Sequence, residues 1–272
     1  MDVSSTHDQA IDYAPCRYGG SRLWFRGPRR ALRSPYVACL GGSNVYGRFV
    51  AEPWTQLLET RCAAPVVNLG VENAGIDAYL NDPGALSTAA QAKVVLIQLT
   101  GVHNTSNRFY ATHPRRNDRF LKASQALISL YPEMDFTEVH FTRHLLARLN
   151  GICPDRFAMI AREARMAWQA RMKTVIAQMK GKVILLWFAQ SGMGDDADCK
   201  IGEEPFLTRK TVLGLLPHVH QLIEVVPPEW RGPEESLDVP PFELTRAAHL
   251  PGPAAHRTVA QTLAPVVRDL LT

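Results

Sequence analysis

PYVACLGGSN, residues 35–44, is a continuous apolar run that ends in two glycines, a serine and an asparagine. An unbroken run of this kind suits a strand covered on both faces, because a half-exposed strand would alternate apolar and polar residues. Four further runs have the same character: Val66–Leu69, Val94–Leu99, Val183–Phe188 and Leu222–Val226. Helical patterns separate and follow them, at Pro53–Cys62, Leu86–Ala92, Arg119–Leu130, Thr137–Leu149, Arg156–Met179, Arg209–His218 and Pro253–Leu271. Strands alternating with helices give an α/β protein with a doubly wound parallel sheet. The stretch from Asn104 to Pro132 and the helical segments up to Met179 exceed what one crossover needs. An enlarged helical insertion over about 105–180 is therefore expected after the third strand, as a cap or lid.

In such a sheet the loops after the strands gather at the carboxyl edge, where ligands bind. The chain places small polar residues there: Gly41-Gly42-Ser43-Asn44 after the first strand, Gly70 to Gly75 after the second, Thr100 to Asn104 after the third. Ser43 is the candidate nucleophile, on a turn whose glycines allow close backbone approach.

With 272 residues the chain is long enough for one large domain, and no Pro/Gly/Ser-rich linker divides it. A single domain over 1–272 is expected, with residues 1–32 as an N-terminal extension; the first thirty or so residues and Gly192–Gly202 read as surface loops. The formal charge of +4 is too mild for a nucleic-acid partner. Five cysteines without a C-x-x-C pair suggest neither a zinc site nor a disulfide framework and point to reduced thiols in the cytoplasm. The N-terminus lacks the pattern of a signal peptide, and no run of eighteen apolar residues predicts a membrane span. Neither G-x-x-x-x-G-K-[ST] nor G-x-G-x-x-G occurs, so no nucleotide cofactor is implied. His140 and His144 are spaced like a metal pair but lack a third ligand, and Trp168 with Met166 and Met172 reads as core packing. The oligomeric state stays open.

The segments CLGGSNVYGRFV, VVNLGVENAGIDAYL and HLPGPAAHRTVAQTLAPVV resemble, in order, blocks of the SGNH (GDSL-like) hydrolases. GGSNVYGRFV with SNRFYATHPRRNDRF is more narrowly similar to an uncharacterised bacterial family of SGNH-like proteins, described only as a domain of unknown function. The wider resemblance implies a three-layer α/β/α, flavodoxin-like sandwich with a five-stranded parallel sheet and a serine esterase or acyl-transfer activity. It also implies Ser43 as nucleophile, the amides of Ser43 and Gly75 with the Asn104 side chain as oxyanion hole, and His249 or His256 as base. Asn107 is the fallback for Asn104. The chain departs from the family pattern in three places: Gly42 stands where an aspartate precedes the serine, Gly101-Val102-His103-Asn104 is one residue longer than usual, and Arg246 or Pro253 replaces the aspartate ahead of the histidine. A backbone carbonyl can replace that carboxylate in orienting the imidazole, so a Ser-His dyad remains chemically workable.

The loop from Asn107 to Arg119 carries Arg108, Arg115, Arg116 and Arg119. Arginine forks match carboxylate, sulfate or phosphate bidentately, so these four are expected to clamp an anionic group of a small or carbohydrate substrate. The alternative within the same fold is a catalytically degenerate module that binds an anionic glycan or metabolite through them.

Overall fold

The computed structural model describes residues 11–33, 35–194, 207–231 and 241–272. Its strands are β1 (Val37–Gly41), β2 (Val66–Gly70), β3 (Val94–Gln98), β4 (Tyr110–Thr112), β5 (Phe120–Ala123), β6 (Lys182–Phe188) and β7 (Gln221–Val225). Five of them form the parallel sheet that the apolar runs predict, in the order β2-β1-β3-β6-β7, while β4 and β5 make a separate antiparallel pair. Val37 lies opposite both Val66 and Val94, so β1 sits between its two neighbours in matched register and its exit is central at the carboxyl edge.

The helices are α1 (Ser43–Tyr46), α2 (Trp54–Cys62), α3 (Asp77–Leu80), α4 (Pro83–Ala90), α5 (Gln125–Leu130), α6 (Thr142–Ile152), α7 (Pro154–Ile176), α8 (Arg209–Leu213), α9 (Leu244–Ala248) and α10 (Pro253–Leu271). Alternate strand residues face opposite layers. Val37, Cys39, Leu96 and Ile184 pack with Trp54 and Leu58 of α2 and Val259 and Leu263 of α10. Leu40, Val67, Ile97 and Leu185 face the other way, with Leu86 of α4 and Trp168 and Met172 of α7. Each such side chain contributes roughly 1.5–3 kcal/mol on burial, which makes the two faces of the sheet the main source of stability.

Several local expectations are corrected. The helix read over Arg119–Leu130 begins as β5, because Phe120 to Ala123 pairs with β4; only Gln125–Leu130 is helical, capped by Ser124. The helix read from Thr137 starts at Thr142, since His140 and Phe141 are extended and pair with Phe120 and Arg119. That removes His140 from the helix carrying His144. Met166 is 61% exposed, whereas Trp168 and Met172 are buried; two residues along a helix is about 200° of rotation, which turns Met166 away from the core.

The N-terminal segment, within its described residues 11–33, is more than a surface loop. Tyr18, Leu23 and Phe25 are buried in the same layer as α4 and α7, and Cys16 pairs with Phe25. Arg26 is buried and donates to the carbonyls of Gly47 and Ala51, fixing the chain just beyond α1. Of Gly192–Gly202, only 192–194 lie within the described residues. The four described cysteines are free. No helix among the described residues is long and apolar enough to cross a membrane.

Candidate active site

The exits of β1, β2, β3 and β6 open onto a cleft of about 870 Å³, closed on its far side by the start of α6 and by the segment around α9. Ser43, Asn104 and His249 line it, although they are far apart in the chain. The convergence follows from the topology, because parallel strands deliver every following loop to one edge.

Ser43 is the first residue of α1 and half-buried. The turn before it is held tightly. Gly41 has φ +158° and a Cβ there would come within 2.5 Å of Val45 Cγ2 and 2.7 Å of Gln98 Oε1, so no side chain fits. The Tyr79 hydroxyl accepts from the Gly41 N–H at 2.9 Å and lies 2.7 Å from the carbonyl oxygens of Gly41 and Leu69. Buried Asn68 donates to the Val45 carbonyl at 2.7 Å, fixing α1 from the other side. As the first helical residue, Ser43 has no intrahelical acceptor for its own N–H. Its Oγ accepts from the Asn73 N–H at 3.1 Å and donates, over a longer 3.4 Å, to Asn73 Oδ1. Among the described residues no histidine bonds to this hydroxyl.

Asn73 was not singled out by the sequence, and it brings a backbone donor onto the serine. Its φ is +56°, a left-handed conformation that asparagine tolerates better than other side chains. The signal was present in V-E-N-A-G, a turn-forming stretch in which the asparagine could take the strained position instead of the glycine. Gly75, by contrast, does not line the cleft: its N–H donates to Asn117 Oδ1 at 2.8 Å, as does that of Ala78 at 3.1 Å. Gly75 serves by its small size. A Cβ would stand 2.7 Å from the Asn104 carbonyl oxygen and 2.9 Å from Asn104 Cβ.

Asn104 ends a 3-10 turn over Val102–Asn104. Its Oδ1 accepts from the Thr142 hydroxyl at 3.0 Å, so the first residue of α6 fixes the amide. Held through its oxygen, the amide keeps its two N–H donors, and no described residue accepts from them. Asn107 lies outside the cleft and accepts from the N–H groups of Phe109 and Tyr110, a local turn bond.

The two C-terminal histidines part company. His249, the residue following α9, is exposed and lines the cleft; its carbonyl accepts from Trp230 Nε1 at 3.1 Å. His256 is fully buried inside α10 and outside the cleft. Its Nδ1 accepts from the Trp54 N–H at 2.9 Å, supplying the start of α2 with the acceptor its proline cannot provide, and Phe188 meets its ring edge-on. Burial, aided by Arg26 and Arg231, holds His256 down at about 3, so it is neutral. A third histidine, His103, lines the cleft while only 5% exposed, its ring packed on Gly101; burial and the Arg143 guanidinium hold it down at about 3 as well.

None of Arg108, Arg115, Arg116 and Arg119 lines the cleft. The loop that carries them is pinned from beneath by buried Asn117, which bonds to Gly75, Ala78 and the His113 carbonyl, and the arginines point to solvent. Arg108 pairs with Glu163 and Arg119 lies over Phe141. The cleft's own arginines are Arg143 and Arg246. Arg246, three residues before His249, pairs with Glu72; Glu72 pairs also with Arg48, and Arg48 with Glu243.

A family model described as Domain of unknown function (DUF6473) matches residues 1–271. Among solved structures, a carbohydrate esterase family 2 enzyme with a carbohydrate binding domain from Corynascus thermopiles (Myceliophthora fergusii) is 11% identical, with 90% of this chain and 69% of that one covered and a TM-score of 0.45. A carbohydrate acetylesterase family member from Sinorhizobium meliloti is 12% identical, with 87% and 99% covered and a TM-score of 0.44. No curated protein matches the chain in sequence.

Proposed function

We propose an activity for a chain that belongs to the DUF6473 family (Domain of unknown function): it is a serine esterase or acyl-transfer enzyme acting on a small or carbohydrate ester. The observation that carries this reading is the meeting of Ser43, Asn104 and His249 in one cleft at the carboxyl edge of the sheet. In the reaction Ser43 Oγ attacks the ester carbonyl and His249 takes its proton. The oxyanion is held by the N–H of Ser43 and by the Asn104 amide; the Gly75 N–H is already bonded to Asn117, and the Asn73 N–H is turned to the Ser43 hydroxyl and holds the nucleophile. Collapse expels the alcohol, which leaves with the proton from His249, and water or a second alcohol then releases the acyl group from Ser43. Preorganised donors of this kind are the largest single contribution in acyl transfer.

The cleft volume falls within the range of small-molecule sites. Gln98, Gln190 and Ser191, with the rings of Phe141 and Trp230, suit a hydroxylated substrate. An anionic group on it would be met by Arg143 or Arg246 rather than by the loop arginines. Hydrolysis of short p-nitrophenyl esters that disappears in both Ser43→Ala and His249→Ala supports this account; equal turnover in Ser43→Ala overturns it.

One observation favours a second reading, a binding module without turnover: the Ser43 hydroxyl is bonded to Asn73 and to no histidine among the described residues. That reading predicts ligand binding unchanged by Ser43→Ala and no ester turnover in any form of the protein.

A further inference from the structure

Helix α9 is a single turn, far too short to be stable alone. It buries only Ala247, while Leu244 is 49% exposed and His249, just beyond its end, is exposed too. Apolar packing therefore contributes little to where this turn sits, and its place has to be set by polar contacts. Downstream, Trp230 and Arg231 hold the carbonyls of His249 and Leu250. At the turn itself, Glu243 at its N-terminal end receives both 2.8 Å bonds from Arg48, and Arg246 in its body is bonded to Glu72. Glu72 also accepts from Arg48 at 2.7 Å, and the Arg48 guanidinium lies over the rings of Phe49 and Tyr13.

These four side chains are only 19–38% exposed and form a network, which makes them more effective than isolated surface pairs. Glu72 is its centre, bonded to both arginines. It also precedes Asn73, the residue that holds the Ser43 hydroxyl. Three residues before His249 stands a base, Arg246, and its acidic partner comes from the loop after β2.

We propose that Glu72 is a positioning residue: by bridging Arg48 and Arg246 it docks α9 and so sets His249 against Ser43. This rests on the reading of Ser43 and His249 given above. Glu72 does not itself line the cleft, so its effect reaches the reaction through the elements it docks, α9 with His249 above all. Small misplacements of a reacting group cost up to about 100-fold in rate. For a neutral ester, which makes no ionic contact with Arg246, the loss belongs to kcat.

The test is ester hydrolysis by the full chain with kcat and KM resolved, for the wild type, Glu72→Gln and Glu72→Asp. Glu72→Gln lowers kcat about tenfold or more with KM within about twofold, and Glu72→Asp recovers part of the loss. Salt provides a readout that needs no variant. Between about 0.01 M and about 1 M the screening length falls from about 30 Å to about 3 Å, and wild-type kcat falls with it while Glu72→Gln responds less. A wild-type kcat flat across that range, or Glu72→Gln turning over at the wild-type rate, overturns the proposal and leaves Ser43 and His249 in place. Absence of wild-type turnover removes the underlying reading, and this inference goes with it.

Discussion

His256 carries a prediction that separates a structural histidine from a catalytic one. In the folded chain its imidazole is neutral, fully buried and held down at about 3 from an ordinary 6.5. The unfolded chain binds that proton more readily. Between about pH 6.5 and about pH 3 the unfolded state therefore carries more protons than the folded one, and stability falls as the pH falls. Each pH unit in that window corresponds to about 1.4 kcal/mol for one group. From about pH 6.5 to about pH 5 the loss is thus about 2 kcal/mol for His256, with a similar amount from His103, whose shift has the same direction and cause. His256→Asn leaves an amide oxygen to accept from the Trp54 N–H and removes the titration. His256→Ala orphans that N–H and opens a cavity, at about 2–4 kcal/mol. The assay is urea unfolding of wild type and His256→Asn at about pH 8 and about pH 5, where contributions from all other groups cancel in the difference. The variant loses about 2 kcal/mol less than wild type on acidification. Equal losses refute the buried, neutral assignment, and a loss of ester turnover confined to His256→Asn rather than His249→Ala refutes the placement of the base.

Gly75→Ala forces a Cβ against the Asn104 backbone, which must shift by several tenths of an ångström; destabilisation of about 1–3 kcal/mol in the same unfolding assay is expected, together with loss of turnover. Asn104→Ala removes one oxyanion donor and lowers kcat by about 10²–10³. Asn73→Gly keeps the backbone N–H, suits the positive φ and frees the Ser43 hydroxyl from the side-chain oxygen; kcat rises by up to about fivefold, the equivalent of one weak hydrogen bond, whereas a fall would assign the side chain itself a role in turnover. The double change Arg108→Ala/Arg115→Ala leaves KM for neutral and anionic esters unchanged, because neither residue lines the cleft.

The sheet could be read from sequence because strands buried on both faces have to be continuous apolar runs; the five runs became the five parallel strands, although β7, at the edge, is only half-buried. The hairpin of β4 and β5 could not, since Phe120 to Ala123 is short and leads directly into a helix whose periodicity masks it. The strand-exit loops, and the place of Ser43 on the first of them, were legible from topology; a role for Ser43 came only from the resemblance. Asn73 and Glu72 were not, because each acts through contacts across the chain: a left-handed turn delivering an N–H to Ser43, an acid meeting a base 174 positions away; nor was His103, whose burial is set by the surrounding fold although its ring packs on nearby Gly101. The arginine-rich loop misled for a related reason. Its charge count was evident, but buried Asn117 decides which way the loop faces, and nothing local in the sequence marks that asparagine as buried.

Peptide mapping after treatment with a fluorophosphonate addresses the chemistry at its source. The account predicts one covalent adduct, on Ser43, formed slowly or not at all in His249→Ala and at near wild-type rate in His256→Asn. A chain that stays unmodified, or takes the adduct on a different serine, contradicts it.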